Sequence, residues 1–412
     1  MRIRPWVRWT LLTLVLSALA CVALASHLRR SHLGQPFGVA LTFEPAGKPR
    51  GVVVVMAERA RRHGAAAELA QSLADRGLLV ALVPAAQALA HVDPQHCELV
   101  ANSVERVGRR LMRQGGVDAY FAPMLVGADA TGGALARLAV ANALPQTVVG
   151  AVLNGLAAAA PAGCAVAPSS AEQGFVLEQA GPQAVADAVV SHLPRPEPAF
   201  RGLPLIELPA AGSHRLAIFI SGDGGWRSLD KGVSSGLRAQ GVSVIGWDSL
   251  RYFWSRRTPE ETAADLAAVI DEYRRRWHAD EVELIGYSFG ADAMPFLYNR
   301  LPPATRASVR SISLLGLGHE ASFRVSVGGW LGTPSSDDAP VEPELAKLPP
   351  GLLLCVYGEE EKDTLCPTLA ARGIRVAKTA GGHHFDHNVP AMVERLRANF
   401  ERNAPAPEPP AR

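Results

Sequence analysis

The stretch EVELIGYSFGADAMPFL, Glu281 to Leu297, is an apolar run that breaks at Gly286-Tyr287-Ser288-Phe289-Gly290 and resumes with helix-like spacing. It predicts a strand, a sharp turn presenting Ser288, and a helix. Small residues flank the serine because the tight backbone of such a turn leaves little room for side chains. The turn holds the hydroxyl out above the sheet, and the N–H of Phe289, at the new helix's N-terminus, can stabilise an oxyanion. The five letters also have a bland reading, a glycine-flanked serine in an ordinary βα turn. Partners elsewhere in the chain distinguish the two.

A serine hydroxyl is a poor nucleophile near neutral pH and needs a base that takes its proton and returns it to the leaving group. In chain order an acid is expected after a later strand and a histidine after the last one. The strand GLLLCVYG, Gly351 to Gly358, is followed by Glu359, Glu360, Glu361, Lys362 and Asp363, then Thr364-Leu365-Cys366-Pro367. Asp363 is the expected carboxylate, because a proline follows it four residues on, and Glu361 is the alternative. After the short strand Ile374 to Ala380 comes Gly381-Gly382-His383-His384-Phe385-Asp386. Here His383 is the expected base and His384 the alternative. A second oxyanion donor is expected from the glycine-rich loop Ser221 to Trp226, through the backbone of Asp223 or Gly224. In Arg251-Tyr252-Phe253-Trp254, Tyr252 and Trp254 are candidates to touch substrate, although such aromatics as often cover a core.

The flanking chain gives this region a setting. RLAIFISG (Arg215 to Gly222) and VSVIGWDS (Val242 to Ser249) read as strands, with a helix over Trp226 to Gly241 between them. Thr258 with Glu261 three residues on is a capping box opening a helix that runs to Trp277. A strand at Val309 to Gly318 and a final helix from Val389 to about Arg402 complete the half. Upstream, Gly51 to Ala60, Leu78 to Pro84 and a segment from Tyr120 read as strands between helices at Ala65 to Gly77 and His96 to Gly115. Such alternation implies parallel strands with crossover helices. The two halves look like a divergent repeat, in which Gly127-Ala128-Asp129 stands against Gly286-Tyr287-Ser288. The first copy has no serine at that position and no late histidine except His192, so it is expected to be catalytically inert.

The 412 residues suffice for two full cores, expected over 37–193 and 205–403, with a proline-rich linker at 194–204 and a proline- and alanine-rich tail at 404–412. With 41 basic against 39 acidic residues, no nucleic-acid partner is indicated. Arg2, Arg4 and Arg8 precede an uncharged apolar run from Trp9 to Ala25, which reads as an export signal, or an uncleaved anchor, over 1–25. Beyond Cys21, four cysteines remain, and the expected pairs are Cys97 with Cys164 and Cys355 with Cys366. No cysteine and histidine spacing suggests a metal site, and no cofactor is called for.

With SGDGGW, RYFW before RTPE, GYSFGAD, YGEEEKDTLCP and GGHHFD in order, the second half resembles the VirJ family of bacterial virulence proteins. The two-domain form with an export signal resembles its longer relative AcvB. The motifs span roughly residues 210–400, and the first half matches only in layout. The resemblance implies two α/β-hydrolase-like domains, the first degenerate and the second catalytic. It also implies a periplasmic enzyme that hydrolyses aminoacyl-phosphatidylglycerol, a membrane phospholipid with lysine or alanine esterified to its headgroup. The competing expectations are a general periplasmic esterase and a non-catalytic accessory of type IV secretion, the first domain being a candidate dock for a periplasmic protein. For a lysyl substrate, Asp223, Asp248 and Asp386 are candidate acidic recognition groups.

Overall fold

The computed structural model describes residues 28–403, apart from 35, 145–146, 160, 162, 166, 169–173, 195–199 and 326–337. The segment 1–25, the tail 404–412 and part of the expected linker lie outside the described residues. The chain divides into two compact units, Met1–Arg195 and Pro196–Arg412.

Among the described residues the first unit holds seven strands: β1 (Leu28–Gly34), β2 (Gly38–Phe43), β3 (Val52–Ala57), β4 (Leu79–Pro84), β5 (Met124–Gly127), β6 (Gly150–Asn154) and β7 (Phe175–Gln179). Their order is β1-β2-β4-β3-β5-β6-β7. β2 runs antiparallel to both its neighbours and the others are parallel. In β3 every residue of VVVVMA is buried, because helices cover both faces of a central parallel strand. The expected helices appear at Ala65–Asp75 and Glu98–Gln114. The edge strand β1 carries no apolar run from which it could be recognised, and β2, β6 and β7 add strands to those expected.

The second unit contains β8 (Leu205–Leu208), β9 (Arg215–Ile220), β10 (Ser243–Trp247), β11 (Glu281–Tyr287), β12 (Val309–Leu315), a two-stranded ribbon of β13 (Glu320–Ala321) and β14 (Ala339–Pro340), then β15 (Leu353–Gly358) and β16 (Arg375–Thr379). The main sheet runs β16-β15-β12-β11-β9-β10-β8, with only β8 antiparallel to its neighbour. Thr258 caps the Pro259–Trp277 helix in a reciprocal box with Glu261.

Aligned on β5 and β11, the sheets correspond strand for strand: β3 with β9, β4 with β10, β2 with β8 on one side, β6 with β12 and β7 with β15 on the other. Beyond them the first sheet has an extra strand at the antiparallel edge, while the second has β16 at the opposite edge. Each chain leaves its β3 or β9 in one direction and returns on the other side of it. That reversal opens a crevice at the carboxyl ends of the two central strands, where ligands collect in sheets of this kind.

Candidate active site

Ser288 stands at the end of β11, before the Phe289–Arg300 helix, in a left-handed conformation with φ 51° and ψ −119°. Such a backbone costs a residue with a Cβ about 1–3 kcal/mol, so its surroundings must impose it. The Ser288 N–H donates to the Leu315 carbonyl at 2.8 Å, and its own carbonyl accepts from Asp292 at 3.0 Å. The two glycines have separate steric reasons. A Cβ on Gly286 would lie 2.4 Å from the Gly290 carbonyl oxygen, and one on Gly290 would lie 2.2 Å from that of Ile220.

The Ser288 hydroxyl lies 2.8 Å from His383 Nε2. The other ring nitrogen, Nδ1, bonds Glu361 Oε1. Glu361 is only 8% exposed, and its second oxygen accepts the Gly358 N–H at 3.0 Å. This corrects the expected acid. Asp363 is 94% exposed and lies 3.5 Å from His319, away from His383. The chain turns tightly after β15, with the Glu361 N–H on the Gly358 carbonyl at 3.0 Å, which brings residue 361 inward and carries 363 out to solvent. A Cys355–Cys366 disulfide closes the base of this loop, and Cys97 pairs with Cys164 in the first unit, both as expected.

Glu361 raises the His383 pKa, chiefly through its hydrogen bond, against the opposing effect of burial. His384 is not at Ser288. Its Nδ1 lies 2.7 Å from the Tyr287 hydroxyl, and partial burial with the nearby His383 lowers its pKa.

The loop after β12 fits closely around this pair. Gly316 has φ 64°, and a Cβ there would lie 2.8 Å from His383 Cε1, so the imidazole fills the space of the missing side chain. Leu317 accepts Thr364 Oγ1 at 2.9 Å and the Leu365 N–H at 3.0 Å, which ties the acid loop to the same turn. Asp292 accepts the Gly318 N–H at 2.7 Å, and burial pushes its carboxyl up to about 8. Neither Gly316 nor Asp292 could be singled out from the sequence, since their significance lies in contacts across the sheet.

The glycine-rich loop after β9 lies beside the serine. A Cβ on Gly222 would be 3.5 Å from Ser288 Cβ, whereas one on Gly224 would meet only Arg227 within 4 Å. Ser249 braces the loop, donating from Oγ to the Ser221 carbonyl at 2.6 Å and from its backbone to Ser221 Oγ at 3.0 Å. Tyr252 and Trp254 are 2% and 1% exposed, contrary to the expected substrate contacts. The Tyr252 hydroxyl bonds Asp265 at 2.7 Å, and Phe253 between the two packs its ring 4.9 Å from that of Phe289. The segment therefore backs the elbow from inside the core.

In the first unit Asp129 occupies the corresponding turn with extended backbone, φ −147° and ψ 179°. One oxygen caps the following helix by accepting the Gly132 N–H at 2.8 Å, and the other accepts the Glu58 N–H of the loop after β3, also at 2.8 Å. Its carboxylate thus binds the kinds of donors that flank Ser288 in the other copy. His192 packs 4.9 Å from the ring of Phe175, at the start of β7, whereas Asp129 follows the end of β5. The length of the parallel strands separates the two residues.

A strand, a strained serine turn and a helix, with an acid after β15 and a histidine after β16, give the second unit an α/β-hydrolase fold with a serine at its nucleophile turn, and among the described residues the first unit has the same layout without the serine or the last strand. More particularly, residues 214–404 match the family model of VirJ, described as a bacterial virulence protein. The second unit is a VirJ-family domain. No curated protein matches the chain. Similar solved structures include Est1E from Butyrivibrio proteoclasticus, 14% identical with a TM-score of 0.35, covering 50% of this chain and 96% of that one. An α/β serine hydrolase without a lid from Xanthomonas campestris is 15% identical with a TM-score of 0.33, covering 50% and 89%. The Pyrococcus furiosus esterase Pf2001 is 13% identical with a TM-score of 0.36, covering 48% and 90%. At these values their activities do not bear on this chain.

Proposed function

We propose that the second unit is a serine ester hydrolase whose substrate is the aminoacyl ester of phosphatidylglycerol, and that it works in the periplasm. The observation that carries the chemistry is the alignment of Ser288 Oγ, His383 Nε2 at 2.8 Å, and Glu361 on Nδ1 of the same ring. His383 takes the serine proton as Ser288 attacks the aminoacyl carbonyl, and Glu361 holds the ring in the required tautomer and stabilises its cation. The Phe289 N–H, which has no acceptor within its own helix, and the N–H of Asp223 or Gly224 in the loop beside Ser288 are assigned to stabilise the developing oxyanion. His383 then protonates the departing lipid alcohol. Water attacks the aminoacyl-enzyme with His383 again as base, which releases the amino acid and restores Ser288.

The lipid substrate is what the resemblance to VirJ and AcvB implies. Two disulfides support an oxidising compartment. The test is to incubate the purified protein with lysyl- and alanyl-phosphatidylglycerol and follow both lipids. Wild type should release free amino acid, and Ser288→Ala should lose about 10³-fold or more of that turnover while keeping its fold. Hydrolysis of soluble esters alone would overturn the lipid assignment, and full activity in Ser288→Ala would overturn the mechanism.

A further inference from the structure

Tyr287 is the residue immediately before the nucleophile, and its hydroxyl reaches the loop that carries the base. It donates to the His383 carbonyl at 3.3 Å and lies 2.7 Å from His384 Nδ1. Its ring is buried among Phe219, Trp226, Leu315, Val356 and Phe385, and the His383 ring lies beside it at 5.5 Å between centroids, tilted by 31°. The same side chain therefore touches the imidazole with its face and the backbone of that residue with its oxygen.

The loop has reason to need such a hold. Phe385, Asp386 and His387 have φ of 54°, 50° and 53°, three successive left-handed residues that each carry a Cβ. That conformation is unfavourable for L-residues and persists only where contacts over-determine it. Phe385 anchors the loop by burial at 2% exposure. Besides the Ser288–His383 bond, the polar attachment to the elbow runs through Tyr287. Burial keeps its phenol protonated by raising the pKa, so it has one hydrogen to give. With that hydrogen on the His383 carbonyl, the phenol oxygen accepts Nδ1–H from His384, and one tautomer of His384 makes both bonds at once.

We propose that Tyr287 is a positioning residue, whose hydroxyl with His384 forms a clamp that holds the His383 imidazole at the Ser288 hydroxyl. This rests on the serine-hydrolase reading of the site. It assigns His384 a role other than the proton transfer considered for it from the sequence. It also links the nucleophile and the base, which lie 95 residues apart, through the residue adjoining each of them.

The test uses the full chain, a p-nitrophenyl ester and fluorophosphonate labelling of Ser288. Tyr287→Phe and His384→Ala should each lower kcat about tenfold to a hundredfold with KM nearly unchanged, because misplacing a base by a fraction of an ångström leaves ground-state binding intact. The double variant should be no worse than the poorer single, since both remove one hydrogen-bonded unit. His384→Asn, which keeps a hydrogen-bonding group at that position, should recover most of the loss. Should Tyr287→Phe fail to fold, the two His384 variants carry the comparison. Wild-type kcat in Tyr287→Phe, additive losses in the double variant, or His384→Asn as poor as His384→Ala would each overturn the clamp alone. A wild-type protein that neither labels nor turns over ester would overturn the hydrolase reading, and the clamp with it.

Discussion

At the scale of single residues, the acid is the most instructive position. Glu361 and Asp363 are two residues apart in a run of charges, and the choice between them depends on which way one turn of backbone faces. The proline register that pointed to Asp363 describes the loop's length and not the direction of its side chains. Glu361→Gln should lower kcat about 10³- to 10⁴-fold by favouring the wrong imidazole tautomer, while Asp363→Asn should leave it nearly unchanged. The pH profile gives an independent readout. His383 acts as base only when neutral, and its pKa is raised, so kcat/KM should fall on the acid side with its inflection above the ordinary histidine value of about 6.5. Removing the carboxylate removes the largest cause of that shift, so the inflection should move to lower pH in Glu361→Gln. An inflection that stays in place would argue that another group controls the limb.

At the scale of elements, the site is an assembly of loops at the carboxyl ends of β9, β11, β12, β15 and β16. The strands fix their spacing, and a few cross-loop bonds fix their shape: Ser249 on Ser221, Thr364 on Leu317, Asp292 on Gly318. The Cys355–Cys366 bridge is the covalent member of this set, spanning 11 residues of which the middle carries Glu361. Closing a loop of that size stabilises the fold by about 2–3 kcal/mol if the effect is mainly on the unfolded chain. A Cys355→Ser, Cys366→Ser double variant should therefore melt several degrees lower. It should also lose kcat more than KM, because the loop that orients His383 is freed while the rest of the site remains. Thermal unfolding and steady-state kinetics on the same preparation would check both parts.

At the scale of the whole molecule, one layout is used twice with different outcomes. Among the described residues the first sheet stops at β7, with no further strand from which a histidine loop could return over Asp129. Asp129 itself is already engaged at both oxygens by the Gly132 and Glu58 amides. Expressed separately, residues 196–412 should retain ester hydrolysis and label with a fluorophosphonate, and residues 1–195 should do neither. Activity in the first unit alone would require a nucleophile and base other than Asp129 and His192.

Periodicity sufficed for β3 to β5, β9 to β12, β15, the covering helices and the elbow, because burial on both faces demands continuous apolar runs and helices demand apolar spacing near 3.6. The order of nucleophile, acid region and histidine along the chain was legible for the same reason, since each follows a recognisable strand. The edge strands β1 and β8 were not, because an edge needs only one partner, and neither were β2, β6 and β7, whose short runs do not distinguish a strand from other buried chain. Asp363, Tyr252 and Trp254 were misplaced because sequence spacing says which loop a side chain belongs to but not whether it faces the crevice, the core or solvent. Gly222, Gly316, Tyr287 and Asp292 gained their significance only on folding. Each acts through a neighbour distant in sequence, and the packing that brings such neighbours together is a property of the assembled sheet.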